Sequence, residues 1–362
     1  MPDPTPKKKI QPMLFMSRHR KLIALLFFAF ITVVAVRHQI VGGGPNGSPS
    51  ICSYCPVGAI SSFWAYMEDG TMLHRVHSSS FVLLTALIIL TLFARRAFCG
   101  WICPFGILQE WVAWLGRKIF GRKIEPPAWL DHWLRYLKYI VLVVIVAASW
   151  YLGTLVFRDY DPYLAFNHFG LGFSELPIAY IVLAVTLVGS LVVERFWCRY
   201  ACPLGAFTAI LGKLGLMVIT HEEQTCINCN LSQKRCPVGI DPNAEKEIRS
   251  AECIQCMECV AVCPVHNAIH VEILGKRMRP ITVGLSIIAA FMIVIGASQV
   301  MGWWHPSADA ERMNAEVGRL GADAIRGWMT LEDLQSFYWI LGTGTPFHFG
   351  TPHLYSHEHP IA

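Results

Sequence analysis

Long apolar runs, separated by short polar and basic segments, dominate the chain. Five of them carry no Lys, Arg, Asp or Glu: 22–36, 76–94, 139–157, 176–193 and 280–304. All but the first reach the roughly 17–25 residues of a spanning helix. The first is extended by 38–41, and Lys21 and Arg37 at its ends have stems long enough to snorkel outward. The pattern predicts a polytopic α-helical membrane protein with about five transmembrane helices. The lysines at 7–9 imitate the start of a signal peptide, but "VVAVRHQIVGGG" offers no small-x-small cleavage site, so the first run reads as a retained anchor. Residues 220–275 make up the one soluble-looking segment. The division is then 1–21, a basic N-terminus; 22–219, a four-span region; 220–275, a small domain; 280–304, a fifth span; and 305–362, a tail.

Composition agrees. Apolar residues make up 54% of the 362 and charged residues 15%, against about 25% charged in soluble domains. Charge also sets orientation. Segments 1–21, 95–138 and 195–279 hold six, eight and ten of the 30 Lys and Arg residues, leaving six for the other side. That bias places the N-terminus and the 220–275 domain in the cytoplasm, and the C-terminus outside, in the periplasm of a Gram-negative cell. The expected location is the inner membrane, in contact with lipid. The net charge of +5 follows from this topology and implies no nucleic-acid partner.

Thirteen cysteines, mostly on the reducing side, favour metal or redox chemistry over disulfides. "CIQCMECVAVCP" sets Cys253, Cys256, Cys259 and Cys263 at C-x2-C-x2-C-x3-C-P, the bacterial ferredoxin run for a [4Fe–4S] cluster. Four-cysteine zinc sites also use C-x2-C pairs but have no need of the x3-C-P continuation. The companion run, "CINCNLSQKRCP", has Cys226, Cys229 and Cys236 in register and Ser232 where the third thiol belongs. In two-cluster ferredoxins the last Cys of each run serves the other cluster. Cys253, Cys256, Cys259 and Cys236 then complete one cluster, and Cys226, Cys229 and Cys263 form a second that lacks a thiolate. Ser232 oxygen, water or a neighbouring side chain fills the corner, or the cluster has three irons, or this loop merely packs. The linker between the runs, "DPNAEKEIRSAE", reads as polar chain with a short helix. Two clusters give the segment a dicluster ferredoxin-like α+β character.

A second pattern lies at the ends of spans. "CGWICPFGILQEWVAWLGRK" and "CRYACPLGAFTAILGKLGLM" repeat C-x3-C-P-x-G, each after a span running inward. Cys99, Cys103, Cys198 and Cys202 therefore reach one depth. If the repeat is pseudo-symmetric they suit a third iron–sulfur cluster; packed apolar cysteines or a redox dithiol are the alternatives. Pro after the second Cys suits the first turn of the next helix. "CSYCPVG" echoes the pattern outside, where Cys52 and Cys55 form a disulfide, an electron-carrying dithiol or a packed loop.

With both loops and both ferredoxin runs, the chain resembles the membrane-bound polyferredoxins of the NapH/NosR type, which serve periplasmic nitrate reduction and nitrous-oxide reduction. The resemblance covers roughly 75–275. It implies cytoplasmic clusters that pass electrons between the quinone pool and periplasmic partners. By position it carries over to Cys99, Cys103, Cys198 and Cys202, and to Cys226, Cys229, Cys236, Cys253, Cys256, Cys259 and Cys263. Ser232 departs from the pattern. With no large flavin domain before the spans and no Ser/Thr-Gly-Ala-Thr stretch, a NosR-like flavin role is not expected. The outer tail is not explained by the shared motifs.

Quinol oxidation releases protons, so a quinone site needs a proton-handling group near an interface. His74, Arg75 and His77 before the second span, and Asp159, Tyr160 and Asp161 after the third, are the outer-side candidates; interfacial anchoring is the plainer role for both. Glu110 is a weaker inner-side candidate. Haem is not expected, because C-x2-C-H is missing and the histidines sit at span ends. In the tail, "ADAERMNAEVGRLGADAIRG" reads as a surface helix, and Thr330 and Asp333 as a capping box. His348, His353, His357 and His359 bind copper or zinc, or belong to a polar, partner-docking end. The expected function is a membrane electron-transfer subunit, such as the quinol-dehydrogenase component of a larger oxidoreductase, exchanging electrons between quinone or a cytoplasmic donor and a partner oxidoreductase or cytochrome. The alternative is a maturation or regulatory protein that reduces a metal such as copper, or a thiol.

Overall fold

A computed structural model describes residues 11–42, 48–69, 76–122, 124–168, 173, 176–265 and 268–305. Each of the five apolar runs forms a helix: α1 (Gln11–Val41), α3 (Ser78–Ala94), α6 (Ala128–Leu152), α8 (Pro177–Val192) and α13 (Pro280–Val300), with α2 (Pro56–Asp69) between the first two. Three are long and apolar enough to cross a membrane, over Ser17–Val41, Ala128–Leu152 and Pro280–Val300; α3 and α8 are apolar but shorter, at 17 and 16 residues. The two short helices are those that run into the C-x3-C-P loops, where the chain turns before it clears the end of the bundle.

The repeat is visible as structure. After α3 the chain reverses at Arg95 (φ 56°) into α4 (Ala97–Trp101), then passes through Cys103 into α5 (Pro104–Phe120). After α8 it reverses at Arg195 (φ 57°) into α9 (Phe196–Tyr200), then through Cys202 into α10 (Pro203–Leu211). A left-handed conformation is costly for arginine. At Arg95 the cost is offset by its buried guanidinium, which donates to the carbonyls of Gly212 (2.8 Å), Ile248 (3.2 Å) and Arg249 (2.6 Å). The copies then trade partners: α5 packs along α8, and α10 lies against α3 and α6. α7 (Pro162–Asn167), between α6 and α8, packs on α8, with Asp161 as its N-cap accepting from Tyr163 N at 2.9 Å.

The domain is an antiparallel sheet of order β2-β1-β3-β4, built from β1 (Met217–His221), β2 (Glu247–Ile248), β3 (Ile269–Ile273) and β4 (Lys276–Met278), with the short helices α11 (Leu231–Arg235) and α12 (Glu258–Val262) on the two Cys runs. The sheet runs from Met217 to Met278. One expectation fails: the linker holds turns and β2 rather than a helix, because Ile248 is needed opposite Ile219 and its side chain is buried. The domain is not tethered loosely. Leu90, Trp101, Met217, Met257, Val271 and Ile287 share one core that runs from α3 and α13 into the sheet.

Candidate metal centre

The two ferredoxin runs adopt the same backbone. Asn228 and Asn230 have φ 51° and 54°; two and four residues after Cys253, Gln255 and Met257 have φ 51° and 60°. Each loop then enters a five-residue helix whose second residue is Ser232 in one and Cys259 in the other. Asparagine accepts positive φ readily, whereas Gln255 and Met257 do not. Both are fully buried, and Trp101 Nε1 donates to Gln255 O at 3.0 Å, so tertiary packing holds them there.

The thiols gather as the spacing implies. Cys259 lies within electrostatic reach of Cys256, Cys253 and Cys236. All four are buried. Burial pushes the Cys253 thiol up to about 11 and also raises Cys256 and Cys259, so these sulfurs keep their protons unless metal replaces them. Cys263 neighbours Cys229 and Cys226. Those three, with Ser232 and Asn243, line one shallow, open cleft. Ser232 is buried, and its Oγ donates to Asn243 Oδ1 at 3.2 Å.

At the repeat, Cys103 and Cys202 are the N-caps of α5 and α10, each followed by Pro. Helix N-termini favour negative charge, and the Gly205 N–H donates to Cys202 Sγ at 3.3 Å. Cys202 is within electrostatic reach of Cys198, Cys99 and Cys103, so one site draws on both copies. Gln109 orients it, donating from Nε2 to Cys198 Sγ (3.2 Å) while Oε1 accepts from Trp197 N (2.9 Å). Among the described residues no three His, Cys, Asp or Glu side chains converge tightly enough for a single metal ion. Zinc would draw four sulfurs to within about 4 Å of one another, as Zn–S bonds near 2.3 Å require; a cubane, with its ligands on separate irons, accepts a wider spread.

The two four-thiol sets share a wall. Cys99, Cys236, Ile254 and Cys256 pack in one buried cluster, and Gly100 is so close to Ile254 O that a side chain there would collide with it. The wall is rich in cations. Arg20 from α1 donates to Glu110 (2.9 and 3.1 Å), Glu258 (3.1 Å) and Gly100 O (3.1 Å). Arg195 donates to Glu110 (2.7 and 2.9 Å) and Cys99 O (2.6 Å). Arg96 donates to Ala251 O (2.8 Å) and lies 3.6 Å from Glu252, a carboxylate also paired with Lys138 and Arg135. Its Nε is buried without a hydrogen-bond partner among the described residues, as is that of Arg199. Each of these guanidinia has a carboxylate partner, Arg199 through Asp131 at 2.6 Å, so the spare Nε–H groups of Arg96 and Arg199 are donors left over rather than uncompensated charges. A thiolate-ligated cluster, which is anionic, fits a wall with such donors.

The remaining candidates are distributed as follows. His74 and Arg75 lie outside the described residues, as do the tail histidines, the tail helix and the capping box; nothing is described of the Cys52 side chain. His77 is the N-cap residue of α3 without a side-chain cap. Asp159 is exposed with Arg158 at 4.0 Å, and Tyr160 is exposed. Glu110 is not a proton handler. Burial would raise its carboxyl, but Arg20 and Arg195 overcome that and hold it at about 2. Asp161 is the reverse case: burial pushes it up to about 7 against two backbone donors. Sequence reasoning missed Arg20, Arg96, Gln109, Arg195 and Tyr163. For Arg96 and Arg195 a signal existed, since both copies read R-x-x-C-x3-C-P-x-G.

Comparison with known proteins gives the same chemistry. A family described as "4Fe-4S binding domain" matches 76–123 and 176–219, the two copies of the repeat, and one described as "4Fe-4S dicluster domain" matches 218–264. The chain is 30% identical over 257 residues to the "Putative electron transport protein YccM" of Escherichia coli, covering 66% of this chain and 70% of that one. It is 30% identical over 200 residues to the "Ferredoxin-type protein NapH" of the same species, covering 52% and 67%. It is 33% identical over 176 residues to the "Regulatory protein NosR" of Pseudomonas aeruginosa, covering 47% of this chain and 24% of that longer one. No solved structure matches.

Proposed function

The chain belongs to the NapH/NosR-type family of membrane polyferredoxins, and from that premise we propose that it is the electron-transfer subunit joining the quinone pool to a partner oxidoreductase through three iron–sulfur clusters. Iron–sulfur electron transfer in a membrane protein is common to its relatives and its domains; the number of clusters, the quinone and the partner are the parts proposed. The observation that carries the proposal is the shared wall between Cys99, on the repeat, and Cys236 and Cys256, in the domain. Bound clusters each take or give one electron, so a series splits two-electron quinol chemistry into single steps.

This chain's residues supply the rest. Cys236, Cys253, Cys256 and Cys259 hold the inner cluster; Cys226, Cys229 and Cys263, with Ser232 oxygen at the fourth corner, hold the outer one; Cys99, Cys103, Cys198 and Cys202 hold the third. The preserved loop backbone around Ser232 supports a cluster there. Five crossings, by α1, α3, α6, α8 and α13, are part of this reading, and the basic bias supports a cytoplasmic domain with an outward C-terminal tail. Of the two outer-side quinone candidates, the group after α6 is favoured. Asp159 and Tyr160 are exposed there, and Asp161, near 7, exchanges a proton at neutral pH. The helix it caps carries Tyr163, within electrostatic reach of Cys103. A quinol bound there would release its two protons to solvent by way of Asp161, and the clusters that the cysteines would hold would take its two electrons one at a time.

The test is anaerobic purification of the full chain in detergent with iron counts and spectra. About twelve irons per chain, and bleaching of the iron–sulfur absorbance by a quinol analogue, are expected. About eight irons would remove the third cluster. Reduction of a copper salt with no response to quinol would instead favour a maturation role.

A further inference from the structure

The buried arginines of the repeat do more than hold loops. Arg96 and Arg195 each stand three residues before the first Cys of their copy, as N-cap residues of α4 and α9. Each crosses to the other copy. A Cβ on Gly205, three residues after Cys202, would stand 3.0 Å from Arg96; one on Gly106, three residues after Cys103, would stand 2.9 Å from Arg195. The glycine of C-P-x-G is therefore the seat for the opposite copy's guanidinium, and a side chain there would crowd it and force it to shift.

Both arginines are almost wholly buried, at 2% and 1% exposure. Arg96 has Cys99, Cys198 and Cys202 within electrostatic reach, and Arg195 has Cys198 and Cys103. Their compensation differs. Arg195 shares Glu110 with Arg20 in close hydrogen-bonded pairs, whereas Arg96 has only the longer contact to Glu252 and keeps a spare N–H. Cluster potentials respond to net charge and to hydrogen bonds at the sulfurs, and a guanidinium stays charged at every accessible pH.

We propose that Arg96 and Arg195 form a crossed clasp that presses fixed positive charge on the four-thiol site of the repeat and raises its reduction potential, Arg96 contributing more. They are positioning residues. The proposal rests on the reading that this site holds a cluster. In the step concerned, that cluster gains one electron, the neighbouring cluster at Cys236, Cys253, Cys256 and Cys259 loses one, and no proton accompanies the transfer because the arginines have none to exchange.

The experiment is a potentiometric titration of the full chain, anaerobic and in detergent, followed by electron paramagnetic resonance, with iron counted in each preparation. In Arg96→Gln the third centre should titrate at lower potential with iron unchanged, and in Arg195→Gln it should fall by less. Glu252→Gln should shift it the opposite way, which keeps the proposal testable if Arg96→Gln does not fold. Arg117→Gln, at a half-exposed pair with Glu194, should move nothing. Full iron with an unmoved third potential in Arg96→Gln and Glu252→Gln overturns the clasp alone. Wild-type protein with about eight irons, unchanged by Cys99→Ala, overturns the cluster reading beneath it.

Discussion

The two ferredoxin loops share a backbone and differ in almost everything around it. The loop at 253–259 is sealed: Cys253, Cys256 and Cys259 are buried, and the strained Gln255 and Met257 are pinned by the core that also holds Trp101. The loop at 226–232 lies outward, with Cys229 exposed, asparagines at the two positive-φ positions, and Ser232 in place of the thiol. Spacing and backbone suffice to build the cradle, while surroundings decide what it is joined to. The sealed loop abuts the repeat and its arginines; the outer loop abuts solvent.

Substitutions sharpen this contrast. Cys256→Ala should be the most damaging, with loss of about four irons and of all electron transfer between the domain and the repeat. Cys229→Ala should remove the outer signal alone, and equal damage from both would erase the distinction. Next is Glu110→Ala, which strands Arg195 in the wall and leaves Arg20 with Glu258 alone. Breaking a buried pair costs about 3–5 kcal/mol, read as a lower thermal midpoint of the detergent-solubilised protein. Ser232→Cys should leave stability near wild type and turn the outer centre's spectrum into that of an ordinary four-thiolate cluster; an unchanged spectrum would mean that this loop only packs.

The smallest effect concerns pH. Asp161 is held near 7, above its ordinary value near 3.9. Between those values the folded chain binds a proton that the unfolded chain has released. Stability therefore falls as pH rises from about 4 to 7 and levels off above. Asp161→Asn should flatten that slope in a series of thermal midpoints, and should slow quinol-driven reduction most at neutral pH.

The repeat teaches a second lesson. Its cysteines were legible because ligand spacing is local: C-x3-C-P writes two sulfurs and a helix start into six residues. Its arginines were present in the same repeat and went unread, because a basic residue at the inner end of a span is normally a topology signal. Only the crossing onto Gly205 and Gly106 separates the two roles.

The chain's apolar runs, basic bias and cysteine spacings determined by themselves that this is a helical membrane protein with a two-run ferredoxin domain. Each of those signals is satisfied within one element or one loop. Tertiary structure alone decided that Cys99 of the repeat meets Cys236 and Cys256 of the domain, that Arg20 from α1 reaches Glu258, 238 residues away, and that Glu110 is paired with two arginines while burial pushes the Asp161 carboxyl up. Those outcomes depend on which distant charges and apolar faces share one low-dielectric wall. Electrostatic energy is set by distance and burial, and neither is written in the order of the residues.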